Sequence, residues 1–280
     1  MQAVTVSEAL REAAASLASA SDTPRLDAEL LMAQALGVTR SELLLRHMGG
    51  EVPSGFAPLL ERRQAHEPVA YILGHQEFFG LDFQVSPAVL IPRADSEVLV
   101  ERALAACPDA RRVLDCGTGS GALLLAVLAH LPQAQGVGID RSAAALAVAQ
   151  DNAGRLGLAE RALLLPADWD VPGWDEAIGG PFDLILANPP YVESEAELAP
   201  AVRDHEPAGA LFAGPEGLDA YRVLVPRLPG LLAPAGRALV EIGAAQAEAV
   251  EAIARRAGLA AQLHRDLGGR PRVLELSMRP

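Results

Sequence analysis

The stretch Val113-Leu114-Asp115-Cys116-Gly117-Thr118-Gly119-Ser120-Gly121 places an apolar run directly before a loop rich in glycine. The apolar run predicts a buried parallel strand, and residues 122–130 predict the helix that follows it. Glycine has no Cβ, so such a loop lets the backbone approach a ligand closely. A strand, a glycine loop and a helix in this order indicate a nucleotide-type site in an α/β fold.

Strands and helices alternate downstream of this loop. The pattern predicts further strands over 136–140, 163–169, 182–187 and 237–242, and two last strands near 260–265 and 273–278. Strand–helix crossovers imply a mainly parallel sheet, and the terminal hairpin adds one antiparallel edge strand. We therefore predict a doubly wound α/β domain around a seven-stranded sheet.

The first part of the chain predicts a different structure. Residues 1–68 have helical periodicity, and the pairs Thr5/Glu8 and Thr39/Glu42 match the capping box that begins a helix. Residues 69–90 combine aromatic and β-branched residues with glycine breaks, which predicts a β-hairpin linker. The predicted domains are thus a helical bundle over 1–68, the linker over 69–90 and the α/β domain over 91–280. The helical bundle serves either packing alone or recognition of a protein partner.

A second motif, Asn188-Pro189-Pro190-Tyr191, ends the predicted strand over 182–187. In open α/β sheets, ligands bind at the carboxyl ends of the strands. The Asn188 side-chain oxygen and the Pro189 carbonyl can each accept one N–H bond from a planar amide or exocyclic amine, and Tyr191 can stack on it. We therefore predict Asn188, Pro189 and Tyr191 as catalytic residues that orient a planar nitrogen for methylation.

Acidic residues at the ends of successive strands indicate the methyl donor. Asp115 can bind a cationic amino group, and Asp140 stands where an acid takes ribose hydroxyls, although it could also only cap the next helix. Asp168 and Trp169 are placed to contact adenine, although Trp169 could also be core. The Gly-x-Gly-x-Gly spacing disfavours a dinucleotide oxidoreductase. We predict S-adenosylmethionine, bound by Asp115, Gly117, Thr118, Gly119, Ser120, Gly121, Asp140, Asp168, Trp169 and Asn188.

The composition of the chain argues against several classes of binding partner. The chain of 280 residues has a formal net charge of −13, which disfavours a nucleic-acid-binding surface. Its two cysteines have no metal spacing, and no histidine pair suggests a metal site. The N-terminus has no basic-then-apolar leader, and no apolar run of about 18 residues is free of charge or proline. We expect a cytoplasmic monomer without metal, nucleic-acid or membrane partners.

Over nearly its whole length the sequence resembles the bacterial release-factor glutamine N5-methyltransferases (PrmC/HemK family). The resemblance is carried by residues 68–74, by Ile91-Pro92-Arg93-x-Asp95-x-Glu97, by the glycine loop, by Asn188–Tyr191 and by Glu206-Pro207. It implies a helical domain joined by a β-hairpin to a Rossmann-like class I S-adenosylmethionine-dependent methyltransferase domain. Ala208 departs from the arginine expected there.

The resemblance also implies a substrate. Methyl transfer would go from S-adenosylmethionine to the side-chain amide nitrogen of the glutamine in the Gly-Gly-Gln motif of class 1 peptide chain release factors, leaving S-adenosylhomocysteine. The release factor would be the protein partner. The residues that would bind it are Asn188, Pro189, Pro190, Tyr191, Arg93 and Glu97.

Three alternatives stay open at this point. A sister enzyme that methylates a glutamine of a large-subunit ribosomal protein would share fold and chemistry. DNA adenine methylation also suits the Asn188 motif, but the net charge of −13 and the lack of a sizeable target-recognition domain argue against it. A catalytically idle protein that binds S-adenosylmethionine is disfavoured by the intact Asn188 and Tyr191.

Overall fold

A computed structural model describes residues 4–279, which group into two compact units. The first unit comprises residues up to His75 together with Leu198–His205, and the second comprises Gln76–Glu197 and the chain from Glu206 onward. The helices of the first unit are α1 (Val6–Ser16), α2 (Pro24–Leu36), α3 (Arg40–Glu42, continued by a π-helical turn at Leu43–His47), α4 (Phe56–Gln64), α5 (Val69–Leu73) and α9 (Pro200–Arg203).

Local signals begin the helices of the first unit as predicted. The Thr5 hydroxyl accepts the Glu8 N–H at 3.3 Å, and the Glu8 carboxylate accepts the Thr5 N–H at 2.8 Å. The same reciprocal pair forms between Thr39 and Glu42, so both capping boxes are confirmed. Inside this unit, a buried ion pair joins Arg63 Nε to Asp27 Oδ2 at 2.7 Å.

The structure corrects the start of the predicted hairpin. Residues 69–73 form helix α5 rather than a strand, because Pro68 begins a helical turn and Gly74 ends it in the left-handed region at φ +81°. The hairpin itself is present, with strands β1 (His75–Phe78) and β2 (Leu81–Gln84). Its reversal is made by Phe79 and Gly80, both at positive φ.

The second unit is built on an α/β alternation. Its helices are α6 (Glu97–Ala106), α7 (Ala122–His130), α8 (Ala143–Arg155), α10 (Asp219–Leu224), α11 (Leu228–Leu231) and α12 (Ala247–Arg256). Its remaining strands are β3 (Arg112–Cys116), β4 (Gln135–Asp140), β5 (Ala162–Pro166), β6 (Phe182–Ala187), β7 (Leu232–Glu241), β8 (Leu259–Arg265) and β9 (Pro271–Met278).

The seven strands β3–β9 form one sheet in the order β5-β4-β3-β6-β7-β9-β8. Strands β3 to β7 pair in parallel, and β9 runs antiparallel between β7 and the edge strand β8. The predicted mainly parallel sheet with an antiparallel edge is confirmed. Cys116 lies in register with both Ile139 and Ala187, so the carboxyl ends of β3, β4 and β6 meet at one edge.

Both faces of this sheet are covered. Helix α7 is buried over Ala122–Leu128, which explains its apolar sequence on every side. It packs with α6 and with Phe78 and Phe83 of the hairpin on one face. Tyr221 of α10 and Val250 of α12 belong to the core on the other face. Between residues 4 and 279, no helix is both long enough and apolar enough to cross a bilayer.

Candidate active site

A cavity of about 390 Å³ opens in the second unit at the carboxyl ends of β3, β4 and β6. Most of the predicted site residues contribute to its wall. Those that line it are Arg93, Gly117, Thr118, Gly119, Ser120, Asp140, Asp168, Trp169, Asn188 and Pro190. Within the described chain, Asp115, Gly121, Pro189, Tyr191 and Glu97 do not line it. The structure thus brings the glycine loop and the Asn188 motif to one chamber.

The glycine loop is held by its neighbour β4. The backbone N–H groups of Gly117 and Thr118 both donate to the Ile139 carbonyl, at 2.9 and 2.8 Å. Gly117 has φ +76°, and a Cβ added to it would lie 3.0 Å from the Trp169 ring. Glycine is therefore required here, because the loop backbone lies directly against the indole. Trp169 also lines the cavity, so its ring offers a flat surface that a planar ligand ring can contact.

Asp140 joins the glycine loop to helix α8. Its Oδ2 accepts the Gly119 N–H at 2.9 Å, and its Oδ1 accepts the Ser142 N–H at 2.9 Å. Ser142 in turn caps α8 by accepting the Ala145 N–H at 3.2 Å. A carboxylate has about four lone-pair sites, so two remain for hydroxyl groups of a ligand in the cavity.

Asp115 lies beneath the cavity rather than on its wall. It is fully buried, its Oδ2 accepts the Thr118 hydroxyl at 2.7 Å, and its Oδ1 has no hydrogen-bond partner among residues 4–279. Desolvation raises the pKa of Asp115 to about 7, and the Thr118 hydrogen bond opposes that rise. An unpartnered buried carboxyl oxygen beside the glycine loop fits a cationic ligand group.

The buried Asp115 predicts a pH dependence of stability. An aspartate in the unfolded chain ionises near pH ~4, whereas Asp115 in the folded protein ionises at about 7. The folded state then binds more protons across this interval, so this carboxyl makes the protein less stable as the pH rises from ~4 to ~7, with no further loss above that. We expect Asp115→Asn to be less sensitive to pH than the wild type in urea unfolding.

The matched control is Asp151→Asn, an exposed carboxyl on α8. The difference in unfolding free energy between Asp115→Asn and wild type is expected to grow with pH up to about 7, while Asp151→Asn follows the wild type. A constant difference across this range would contradict the raised pKa of Asp115.

Asn188 presents an acceptor to the cavity. Its Nδ2 donates to the Ser96 hydroxyl at 3.4 Å, and its Oδ1 has no protein partner within residues 4–279. Since a carbonyl oxygen can only accept, the free end of this amide suits an N–H donor. This is the polarity that the sequence predicts for a residue that holds a planar amide.

Tyr191 lies behind the cavity wall. Its hydroxyl donates to Glu241 Oε1 at 3.4 Å, and its backbone carbonyl accepts the Gln246 Nε2–H at 3.0 Å. Burial, with the nearby Glu241 charge second, raises the pKa of Tyr191 to about 12, so the phenol is protonated near neutral pH. A Cβ on Gly217 would lie 2.3 Å from the Tyr191 carbonyl oxygen, so this backbone is closely enclosed.

A backbone bridge fixes the chain just after Tyr191. Val192 donates its N–H to the Leu211 carbonyl at 2.8 Å, and its own carbonyl accepts the Ala213 N–H at 2.9 Å. The motif therefore sits between strand β6 and this bridge, and its geometry is set from both sides.

The two predicted charged substrate residues have separate environments. The Arg93 guanidinium lines the cavity and forms an ion pair with Glu206, whose side chain is 1% exposed. Glu206 Oε2 also accepts the Ile91 N–H at 3.4 Å. The Glu97 carboxylate instead accepts the Phe79 N–H at 2.9 Å and so holds the hairpin turn. Only Arg93 of the pair is placed to meet a ligand in the cavity.

Several polar residues that shape the site were not predicted. The buried Asn152 accepts the Gln84 N–H at 2.7 Å and donates to the Ser120 carbonyl at 2.9 Å, so it ties the hairpin to the glycine loop. Glu241 and Gln246 support Tyr191. Of these residues, only Glu241 is signalled in the sequence, because it is a charged residue at the end of an apolar strand.

These residues fit S-adenosylmethionine. The Trp169 ring on the cavity wall suits a planar base, and the two free lone-pair sites of Asp140 suit ribose hydroxyls. The unpartnered Asp115 oxygen and the cavity's acidic side chains suit cationic groups. The apolar parts of the wall, such as Val89 and Leu123, suit aliphatic carbon.

Comparison with known proteins gives matches along most of the chain. A family model described as the PrmC N-terminal domain matches residues 8–74, and one described as the methyltransferase small domain matches residues 94–204. The release factor glutamine methyltransferase of Caulobacter vibrioides is 46% identical over 244 residues, which cover 85% of this chain and 83% of that protein. The protein of the same description from Moorella thermoacetica is 45% identical over 262 residues, 91% of each.

A solved structure agrees at the level of the fold. The ribosomal protein L11 methylase of Lactobacillus delbrueckii subsp. bulgaricus superposes with a TM-score of 0.51 at 20% identity, covering 70% of this chain and 84% of that one. At this identity the likeness concerns the α/β architecture alone.

Proposed function

The chain belongs to the release factor glutamine methyltransferases, and on that premise we propose how its own residues carry out the reaction. The enzyme transfers a methyl group from S-adenosylmethionine to the side-chain amide nitrogen of a glutamine in peptide chain release factors. The observation that carries the residue assignment is that Asn188 lines the same cavity as the glycine loop, with its Nδ2 engaged by Ser96 and its Oδ1 without a hydrogen bond among residues 4–279.

Orientation is the main contribution of the Asn188 motif. An amide nitrogen is a weak nucleophile because its lone pair is conjugated with the carbonyl. Asn188 Oδ1 accepts one N–H of the substrate amide, and the carbonyl of Pro189, which lies in the chain between the wall residues Asn188 and Pro190, accepts the other. Both N–H groups are then held, and the face of the nitrogen is directed into the cavity. Pro190 stiffens the loop and removes a competing backbone donor.

The glycine loop and its neighbours hold the methyl donor, which supplies an electrophilic methyl group when it is bound. Asp140 accepts ribose hydroxyls, while Trp169 and Asp168 contact the adenine face and edge. Gly117 to Gly121 let the backbone come close to the ligand, and Asp115 Oδ1 attracts its cationic part. Tyr191 does not stack on the substrate but holds the Asn188 motif in place through its hydrogen bond to Glu241.

Arg93 and the helical residues are assigned to the protein substrate. The Arg93 guanidinium is 39% exposed and fixed by buried Glu206, so it can donate to a backbone carbonyl of the bound loop. Glu97 contributes through the hairpin turn. We assign residues 1–68 to partner recognition, 69–90 to the linker and 91–280 to methyl transfer, with the Gly-Gly-Gln motif of class 1 release factors as target.

The test is transfer of labelled methyl groups from S-adenosylmethionine. The acceptors are a purified class 1 release factor, the same factor with the glutamine of its Gly-Gly-Gln motif replaced, a large-subunit ribosomal protein extract and duplex DNA. We expect label on the release factor only, lost when the glutamine is replaced. Label on the ribosomal protein or on DNA would overturn the substrate, and bound donor without any label would overturn the reaction.

We also propose that the enzyme works as a monomer in the cytoplasm and without nucleic acid. The formal net charge of −13 supports weak binding to polyanions. Light scattering after size exclusion is expected to give the mass of a single chain, 29.3 kDa. A mass twice that value would overturn the monomer.

A further inference from the structure

The side-chain amide of Asn152, on helix α8, bonds to the backbone of two other segments. Asn152 is fully buried. Its Oδ1 accepts the Gln84 N–H at 2.7 Å, and its Nδ2 donates to the Gln84 carbonyl at 3.0 Å. The second hydrogen of Nδ2 is donated to the Ser120 carbonyl at 2.9 Å. Since both amide hydrogens face carbonyl oxygens, only one orientation of this side chain satisfies all three bonds.

Ser120 belongs to the glycine loop, which forms one wall of the cavity. Residues 117–120 all line the cavity, and we call them the glycine-loop wall. The first three of these residues donate their N–H groups to Ile139 and Asp140 of β4. Asn152 takes hold of the wall at its last residue. The glycine-loop wall is therefore anchored to β4 at its start and to α8 at its end.

Gln84 leads into a second wall of the same cavity. Residues 88–93 all line the cavity, and we call them the hairpin wall. Only three residues separate Gln84 from this wall, and they form a tight turn. The Ser86 hydroxyl accepts the Ala88 N–H at 3.4 Å, and the Ser86 carbonyl accepts the Val89 N–H at 3.1 Å. A shift of Gln84 is therefore passed on to the start of the hairpin wall.

The far end of the hairpin wall has an anchor of its own. Glu206 accepts the Ile91 N–H at 3.4 Å and forms the ion pair with Arg93. The near end is anchored through Gln84 by Asn152. Because the same amide also holds the glycine loop, one side chain is bonded to both walls at once.

We propose that Asn152 is a positioning residue that sets the spacing between the hairpin wall and the glycine-loop wall. The spacing determines how tightly the site binds the methyl donor and the substrate loop. This inference rests on the proposed function, in which the glycine loop holds S-adenosylmethionine and Arg93 meets the release factor. Asn152 itself does not line the cavity, so it acts through the backbone of Gln84 and Ser120.

The first variant is Asn152→Ala, which removes all three bonds. We expect the Kd for S-adenosylmethionine and the KM for the release factor to rise ~10-fold each, with kcat changed less than ~3-fold. Bound ligands restore the spacing at saturation, and the Asn188 motif has separate supports at Tyr191 and Val192. Calorimetry gives the Kd, and initial rates give KM and kcat. A fall in kcat with unchanged Kd and KM would overturn the proposal.

Asn152→Asp separates hydrogen bonding from packing. The carboxylate has the shape of the amide and can still accept the Gln84 N–H, but its second oxygen faces the Gln84 and Ser120 carbonyls. If hydrogen bonds set the spacing, this variant should bind S-adenosylmethionine more weakly than Asn152→Ala does, with a Kd ~100-fold above that of the wild type. Wild-type affinity in Asn152→Asp would mean that Asn152 only fills space, and would overturn the proposal.

Ala153→Gly is the matched control for lost stability. Ala153 is the next residue of α8 and is fully buried in the core. Glycine there removes a buried methyl group and weakens the helix, so the variant should melt at a lower temperature. It keeps every bond of Asn152, so we expect wild-type Kd and KM. If Ala153→Gly raised both constants as much as Asn152→Ala does, the positioning role would be wrong.

Pro87→Gly tests the proposal even if the Asn152 variants do not fold. Pro87 is exposed, does not line the cavity and stiffens the turn between Gln84 and the hairpin wall. We expect Kd and KM to rise ~3-fold at unchanged kcat. Added to Asn152→Ala, it should raise them less than ~1.5-fold further, because the near end of the wall is already released. Wild-type constants in Pro87→Gly, or multiplied effects in the double variant, would overturn the proposal.

Failure of the proposed function would be a different result. The affinities for S-adenosylmethionine are measured without a release factor. A wild-type enzyme that binds the donor but labels no release factor would refute the proposed function. The order of the Kd values, lowest in the wild type and highest in Asn152→Asp, would still decide whether Asn152 positions the walls.

Discussion

Replacing Asn188 by alanine is expected to lower the rate of methyl transfer about 10³-fold, equivalent to about 4 kcal/mol of transition-state stabilisation. In the proposed mechanism Asn188 Oδ1 accepts one N–H of the substrate amide, and alanine would leave that N–H without an acceptor in the cavity. Asn188 is only one of many residues that line the cavity, so we expect the Kd for S-adenosylmethionine to change less than ~5-fold. Single-turnover transfer and calorimetry measure the two quantities.

Asn188→Asp is the informative companion to the alanine variant. It keeps oxygen acceptors in the same place but cannot donate to Ser96. We expect a rate between those of Asn188→Ala and the wild type. The aspartate can still accept the substrate N–H, but its side chain is no longer oriented by a hydrogen bond to Ser96. Near-normal turnover in Asn188→Ala would contradict the orienting role assigned to this residue.

Replacing Asp140 by alanine is expected to weaken S-adenosylmethionine binding about 10²-fold. In the proposed mechanism the variant loses charge-assisted hydrogen bonds to ribose hydroxyls, each worth about 1.5–3 kcal/mol. It also removes the acceptors of the Gly119 and Ser142 N–H groups, so the glycine loop and the start of α8 lose their common support. Calorimetry gives the affinity, and urea unfolding gives the stability that is lost with the two backbone contacts.

Asp151→Ala controls for the loss of one carboxylate from the same region, since Asp151 is exposed on α8. It is expected to bind the methyl donor as the wild type does. A lowered unfolding free energy with unchanged affinity in Asp140→Ala would mean that Asp140 only caps the helix and holds the loop. The hydrogen bond to Ser142 makes this outcome a specific alternative.

The predictable parts of the site are those fixed by local sequence. The glycine loop and Asn188 directly follow strands, Asp140 is the last residue of its strand, and parallel strands bring their carboxyl ends to one edge. Their shared cavity therefore follows from the order of the elements. The start of the hairpin was less predictable, because an apolar run as short as Tyr71-Ile72-Leu73 is compatible with either a strand or a helix.

The unpredicted parts depend on partners far away in the chain. Asn152 bonds to Gln84, 68 residues earlier, and Arg93 pairs with Glu206, 113 residues later. No periodicity or spacing encodes such pairs, since each is created only when two elements pack. The environment of Tyr191 is unpredictable for the same reason, because its hydroxyl donates to Glu241 of another strand.

The backbone bridge at Val192 also determines where evolution can lengthen this chain. Its two hydrogen bonds to Leu211 and Ala213 join the two ends of the segment 193–210, and residues 193–197 at the start of that segment are all exposed. Doubling the length of a flexible loop costs only about 0.6 kcal/mol once its ends are joined. Insertions between 193 and 197 can thus accumulate among descendants while the motif before the bridge keeps its geometry, so that new substrates can be sampled around an unchanged reaction.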